Sequence, residues 1–400
     1  MREFDIAVVG AGLAGSLAAL ALAESGRSVA LIAPPARAAD GRTTALMDQS
    51  IAFLQALGLW EAVAPHAAGL ETMQILDGTT RLLRAPPVAF RAGEVGLATF
   101  GYNIPNAPFL AVLDARIAAS EGIVRLEGGV TAATAFENGV ELTLEDGGRV
   151  TAGIVVGADG RKSRIRESAG IGVRTWSYPQ AALVLNFSHE RPHGNVSTEF
   201  HTESGPFTQV PLPGQRSSLV WVLPPKEAAR LRDLPAEDLA RAVEERMQSM
   251  LGKVSVEGRA QSFPLSGMTA DRFGKGRFAL VGEAAHAFPP IGAQGLNLSL
   301  RDIMALRDLL KDRAQDAAIG ERFDRRRQAD IRSRTLSVDL LNRSLLSDFL
   351  PVQFLRSAGL HLLSALGPLR NVVMREGIEP LGSLKALREG LRERVARKQA

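Results

Sequence analysis

Phe4-Asp5-Ile6-Ala7-Val8-Val9-Gly10-Ala11-Gly12-Leu13-Ala14-Gly15 decides the fold of this chain. A short apolar strand, Phe4 to Val9, runs into G-x-G-x-x-G. An Ala/Leu-rich helix follows to about Ser25-Gly26, and Ser28 to Ile32 forms a second strand. This is the strand, glycine turn, helix and strand order that a dinucleotide fingerprint requires. Gly10 permits the tight turn, Gly12 admits a pyrophosphate to the bare backbone, and Gly15 allows close helix–strand packing. Leu13 and Ala14 carry the first free N–H groups of the helix, which favour an anion. One feature departs from the pattern. The acid expected at the end of the second strand, for the ribose hydroxyls, is replaced by Ala33 and then Pro34-Pro35. Asp40 or another polar group substitutes for it, or the ribose is held from elsewhere.

The uncharged run Ile6 to Ala23 also mimics a membrane span or a signal h-region. Glu3 and Asp5 spoil a positive n-region and three glycines punctuate the run, so it reads as a buried strand turning into a buried helix. Four hundred residues suffice for two domains, or one large domain with an insertion. The 46% hydrophobic and 22% charged fractions are those of a globular protein. The absence of cysteine excludes disulfides, thiolate metal sites, iron–sulfur clusters and Cys nucleophiles, and fits a reducing compartment such as the cytoplasm. A net charge of +4 is too small for its length to argue for nucleic acid.

Two further segments carry chemistry. Thr151 to Val156 is apolar and leads into Gly157-Ala158-Asp159-Gly160-Arg161-Lys162-Ser163-Arg164-Ile165-Arg166; alone, this is a polar turn with a basic helix start. Phe278 to Val281 leads into Gly282-Glu283-Ala284-Ala285-His286-Ala287-Phe288-Pro289-Pro290-Ile291-Gly292-Ala293-Gln294-Gly295-Leu296-Asn297, with an amphipathic helix from about Leu296. Here a strand delivers a polar loop to a helix N-terminus, where Gly292 and Gly295 expose backbone and Pro290 fixes direction.

These three segments together resemble the flavin-dependent aromatic hydroxylases of the para-hydroxybenzoate hydroxylase type. Within them the chain is most similar to the ubiquinone-biosynthesis monooxygenases. Arg42-Thr43-Thr44-Ala45-Leu46 resembles the segment lying along the flavin. Gly205-Pro206-Phe207, Pro211-Leu212-Pro213 and Ser218 to Trp221 resemble the substrate domain of the ubiquinone hydroxylases. The likeness covers nearly the whole chain. It implies an α/β fold: a discontinuous Rossmann-like FAD-binding domain over 1–72, 100–178 and 262–345, an antiparallel β-sheet substrate domain over 73–99 and 179–261, and a C-terminal helical segment over 346–400.

It further implies that Gly10, Gly12, Leu13, Ala14 and Gly15 hold the ADP half of FAD, with Asp159 and Gly160 near the pyrophosphate and the nicotinamide route. Gly282 and Glu283 fall at the ribityl chain, although the wider family has Asp where Glu283 stands. Pro290, Gly292, Gly295, Leu296 and Asn297 fall at the isoalloxazine ring. Arg42 is the best candidate for a cation stabilising the reduced, anionic flavin, or else a surface arginine after Gly41. His286 positions the loop, and with Pro290 is the nearest to a catalytic candidate.

The implied reaction takes electrons from NAD(P)H or a ferredoxin-type donor, adds molecular oxygen at flavin C4a and passes its distal atom to a prenylated phenol or quinone precursor. Two other classes stay open: a reductase of isoprenoid double bonds on the same fold, and a non-catalytic FAD-binding subunit. His189, His193 and His201 fall in the substrate domain and are expected to be surface turn residues, with no metal site. Residues 225–251 are expected to form one helix. In the last helix Leu384, Leu387, Leu391 and Val395 form one stripe beside Lys385, Arg388, Arg392 and Arg394. This stripe either docks on the protein or lies on an anionic inner-membrane surface, where other quinone-biosynthesis enzymes are candidate partners.

Overall fold

The computed structural model describes residues 2–35, 41–79, 86–289, 294–311 and 317–346. Pro290, Gly292, Asp40 and the basic stripe from Leu384 lie outside them, as does all but the first residue of the expected C-terminal segment. No helix among the described residues is long and apolar enough to cross a membrane.

Val29–Ala33 is buried along its whole length, and Ile6 to Val9 likewise. Strands apolar on both faces belong to the middle of a parallel sheet. Four parallel pairings follow: Ile123–Glu127 beside Val29–Ala33, then Arg2–Val9, Arg149–Gly157 and Phe278–Leu280. Gly274–Lys275 closes one edge antiparallel, and the meander Val130–Phe136 and Gly139–Leu144 branches from Arg149–Gly157. Connections leave Arg2–Val9 towards both sides of the sheet, so its carboxyl end is a switch point where open α/β sheets bind ligands. Leu13–Ala23 leaves this point and packs against Asn106–Ala118 and Gln294–Lys311.

A second sheet of eight strands runs His286–Ala287, Val254–Ala270, Val173–His189, Arg216–Leu223, Gly205–Leu212, Val196–Thr202, Thr72–Asp77 and Val88–Arg91. Its pairings are antiparallel except between Val196–Thr202 and Thr72–Asp77. Alternation along Val173–His189 separates the faces. Ala181, Leu183, Leu185 and Phe187 pack with Phe200, Phe207, Leu219 and Trp221 under Leu231, Leu239 and Val243 of two helices. The other face presents Ala182, Val184, Val220, Val222 and Leu265. It meets the parallel-sheet side through Asn186 Nδ2, which donates to the Gly41 carbonyl at 2.9 Å, and Thr43 Oγ1, which donates to Ser218 Oγ at 3.1 Å.

One expectation is corrected. Residues 225–251 form two helices, Pro225–Arg232 and Ala236–Arg246, because Pro235 restricts the residue before it and starts a new helix. The 17-residue strands Val173–His189 and Val254–Ala270 run through the expected boundaries at 178/179 and 261/262, so continuous strands join the two sheets there.

Candidate functional site

The glycine turn is built by backbone contact. A Cβ on Gly10, at φ +107°, would strike the Ala158 carbonyl, and one on Gly15 would strike the Gly10 carbonyl. Strand, helix and second motif therefore meet without side chains between them, with the Ala158 N–H donating to the Val9 carbonyl at 2.8 Å. Gly12 differs. Its φ of −75° suits any residue, and a Cβ there would meet nothing of the protein within 4 Å. It is exposed at the start of a helix whose first turn has no side-chain cap, beside half-buried Leu13 and Ala14. Space kept free of side chains over uncapped N–H groups suits an anionic group such as a pyrophosphate.

The second and third motifs are fastened to each other. Asp159 Oδ2 accepts from the Arg164 and Ile165 N–H groups at 2.7 and 3.2 Å, capping the helix Arg164–Ser168. Asp159 Oδ1 is buried and has no hydrogen-bond partner among the described residues. Arg166, buried, donates to the carbonyls of Ala284 and Arg161, each at 2.9 Å. Glu283 stands exposed with its carboxylate 3.5 Å from Arg161 Nε, so it keeps room for a further partner. Gly282 backs onto Ala14 of the fingerprint helix and Ser299 of the third-motif helix.

His286 is buried and stacks on Phe288, their centroids 5.5 Å apart. Its Nε2 lies 2.6 Å from Asp302 Oδ2, while Arg327 Nε donates to Asp302 Oδ1 at 2.7 Å. Burial pushes the Asp302 carboxyl upwards, but the charges and hydrogen bonds of His286 and Arg327 outweigh it and hold the group below the ordinary carboxylate range. Arg327 also pairs with Asp330, which Arg301 reaches from the third-motif helix. Asn297 spends its side chain on the segment after Arg42: Oδ1 accepts from the Met47 N–H at 2.9 Å and Ser50 Oγ at 2.7 Å, and Nδ2 donates to the Ala45 carbonyl at 2.8 Å. Gly295, Leu296 and Asn297 lie in the first turn of Gln294–Lys311. Arg42 is exposed, and its carbonyl accepts from the Asn106 N–H at 3.0 Å.

Of the substrate-domain histidines, His193 lies in the turn between two strands, whereas His189 and His201 lie within strands and are not surface turn residues. His189 is buried, bonded to the Arg191 carbonyl at 2.8 Å and Ser217 Oγ at 3.0 Å, and its burial, together with His193 at 5.7 Å, lowers its pKa. His201 pairs with Glu199 at 2.8 Å. No cluster fit for a metal occurs among the described residues. One residue beside Ala33 escaped sequence reasoning. Ala33 is paired in register with Glu127, the exposed last residue of the next parallel strand. The strand-ending acid three residues before Val130 was the available signal, but only sheet order places it beside Ala33.

The switch-point turn, the free space at Gly12, the unpartnered Asp159 oxygen and the acid at Glu283 together fit a dinucleotide carrying a polyol, and define the class as an FAD-binding oxidoreductase. Residues 3–329 match the family model described as FAD binding domain. Ubiquinone hydroxylase UbiL of Rhodospirillum rubrum is 35% identical, over 95% of this chain and 90% of that protein. The 3-demethoxyubiquinol 3-hydroxylase of Escherichia coli is 31% identical, over 93% and 97%. Among solved structures, HpxO of Klebsiella pneumoniae, complexed with FAD and uric acid, superposes with a TM-score of 0.79 at 19% identity, over 95% of this chain and 98% of that one. The chain belongs to the FAD binding domain family, within the FAD-dependent monooxygenases that include these two hydroxylases.

Proposed function

We propose that the protein hydroxylates a prenylated phenol or quinone precursor in ubiquinone biosynthesis, using FAD, a transient NAD(P)H or ferredoxin-type electron donor and molecular oxygen. The observation that carries this reading is 35% identity to a ubiquinone hydroxylase over nearly the whole of both chains. The face of the second sheet turned away from the helices supports it: Ala182, Val222 and Leu265, buried, and Val184 and Val220, half-buried, form an aliphatic wall on the side where Gly41 and Thr43 approach. Such a wall suits a prenyl chain, at about 25 cal/mol per Å² of apolar surface removed from water.

In this reading segments 1–72, 100–178 and 262–345 form the cofactor domain, and 73–99 with 179–261 the substrate domain. Gly10, Gly12, Leu13, Ala14 and Gly15 receive the pyrophosphate at the helix N-terminus, and Glu127 takes the ribose place left by Ala33. Asp159 and Gly160 face the pyrophosphate, and Gly282 and Glu283 the ribityl chain. Gly295 and Leu296 direct N–H groups at the ring, Asn297 follows them, and Pro290 and Gly292 precede them in sequence. Arg42 supplies positive charge at the cleft. Bound FAD supplies the chemistry of accepting a hydride and activating oxygen. The chain binds, orients and excludes water: Arg166 and Asn297 lock the loops that close the site, and the aliphatic wall keeps the phenol in a dry cleft.

Purified protein is expected to be yellow and to oxidise NAD(P)H faster when a prenylated phenol is added, with one oxygen atom gained by mass spectrometry. Protein that takes up no FAD, or a product with a saturated prenyl chain and no added oxygen, would end the reading. Liposome flotation with and without residues 384–400 separates membrane contact from docking on the protein.

A further inference from the structure

We infer that His201, backed by Glu199, is the base that removes the phenol proton of the substrate. This rests on the phenol-hydroxylase reading above. Strand Val196–Thr202 alternates: Thr198, Phe200 and Thr202 are buried towards the helix-covered side, so Glu199 and His201 stand on the opposite face. That is the face of Val184 and Val220, the one from which Ser218 meets Thr43 and Asn186 meets Gly41. Register places Glu199 beside Thr208, and Thr208 beside Val220. Two strand spacings, about 10 Å, separate Glu199 from Val220, and His201 lies two residues further along its strand, beside Pro206. An ion-pairing dyad thus stands on the same face as the aliphatic wall.

The pair has the geometry of a carboxylate-oriented imidazole. His201 Nε2 lies 2.8 Å from Glu199 Oε1, while Glu199 Oε2 accepts from Thr208 Oγ1 at 3.2 Å. With Nε2 bonded to the carboxylate, Nδ1 is the ring nitrogen left to meet a substrate. Nδ1 makes no hydrogen bond to a described residue. Both side chains are only partly covered, 11% and 26% exposed, as lining of a cleft requires. Among the described residues, the other charged groups near them are Asp77, paired with His201 in register on Thr72–Asp77, and Glu203 beyond the strand's end.

The step is a proton transfer without redox change. The phenol O–H bond breaks, an N–H bond forms at His201 Nδ1, and the electron pair stays on the phenolate oxygen. Its delocalisation enriches the ortho and para carbons, where the electrophilic oxygen must attach. The imidazolium returns the proton when the product phenol leaves.

The test uses the FAD-loaded enzyme with 4-fluoro-2-prenylphenol as probe. Without electron donor, the ¹⁹F shift of the bound probe reports its ionisation. In the unmodified enzyme the probe is expected to ionise at lower pH than free in solution, and in His201→Gln and Glu199→Gln this displacement is lost. Product formation with 2-prenylphenol is expected to fall about 100-fold in kcat/KM in His201→Gln. A more acidic, ring-polyfluorinated prenylphenol should recover most of that loss. Flavin absorbance and the thermal midpoint, unchanged in both variants, show that the fold is intact; if His201→Gln does not fold, Glu199→Gln with Glu199→Asp as its rescue carries the same readouts. Unaltered ¹⁹F titration and rate in folded variants overturn the assignment while leaving the hydroxylase reading standing. No hydroxylation of any prenylated phenol by the unmodified enzyme removes both.

Discussion

Gly12 and Gly15 are three residues apart and are glycine for different reasons, which separates binding from folding. A Cβ on Gly15 runs into the Gly10 carbonyl, whereas one on Gly12 meets only open space. Gly12→Val is therefore expected to leave the unfolding midpoint of the FAD-free protein unchanged. It should weaken FAD by about 1–3 kcal/mol of steric conflict, or about ten- to a hundredfold in Kd, read by flavin fluorescence titration. Gly15→Val should instead yield unfolded or insoluble chain; equal behaviour of the two variants contradicts the geometry. Asp302 offers the complementary case. Wholly buried between His286 and Arg327, its carboxylate is needed to balance the Arg327 guanidinium. Asp302→Asn leaves that charge short of a partner and should cost about 3–5 kcal/mol in urea denaturation. Arg327→Met together with Asp302→Asn should cost less than the sum of the two single changes, because the uncompensated charge is gone.

At the scale of elements, the pH response comes from one strand end. Burial lowers the pKa of His189 below its ordinary 6.5, so the folded protein resists a proton that the unfolded chain accepts. Full stability is present above pH 6.5, and it is lost as pH falls through 6.5 towards the lowered folded value. Asp302, held below 3.8, adds its own loss only in the more acidic range beneath that value. His189→Gln should flatten the stability slope between neutral and mildly acidic pH in equilibrium denaturation, leaving the acid limb in place. Nothing in the sequence marked His189 as buried: next to Arg191-Pro192 it read as a turn, and only the alternation of Leu183, Leu185 and Phe187 ahead of it carried the inward register. Elements with a strong local period were legible from residues alone. The glycine-turn strand and helix, the apolar strands at Thr151 and Phe278, and the helix after Pro290 stand within a few residues of where the pattern put them. The break at Pro235 is legible too, although Leu231, Leu234 and Leu239 on either side of it suggest one apolar face.

At the scale of the molecule, what residues alone could not supply was adjacency between distant segments. Glu127 beside Ala33, Arg166 under Ala284 and Asn297 under Ala45 are contacts of sheet order and helix packing, with no local signature. The same holds for the two-residue strand His286–Ala287, which pairs with Met268 and Thr269 and so forms the edge of the substrate sheet while leading into the cofactor loop. That pairing has a consequence for recombination. Grafting the substrate sheet of a relative onto this chain cannot treat 73–99 and 179–270 as a portable module, because its outermost strand lies beyond the crossing point, on the far side of Gly274–Lys275 and Phe278–Leu280. A chimaera joined between 270 and 274 inherits an edge strand from one parent and its partner from the other. One joined after Pro289 keeps them together, and should retain more bound flavin per chain after purification. Lineages that exchange substrate preference by exchange of gene segments are thus constrained to carry the flavin loop along with the sheet.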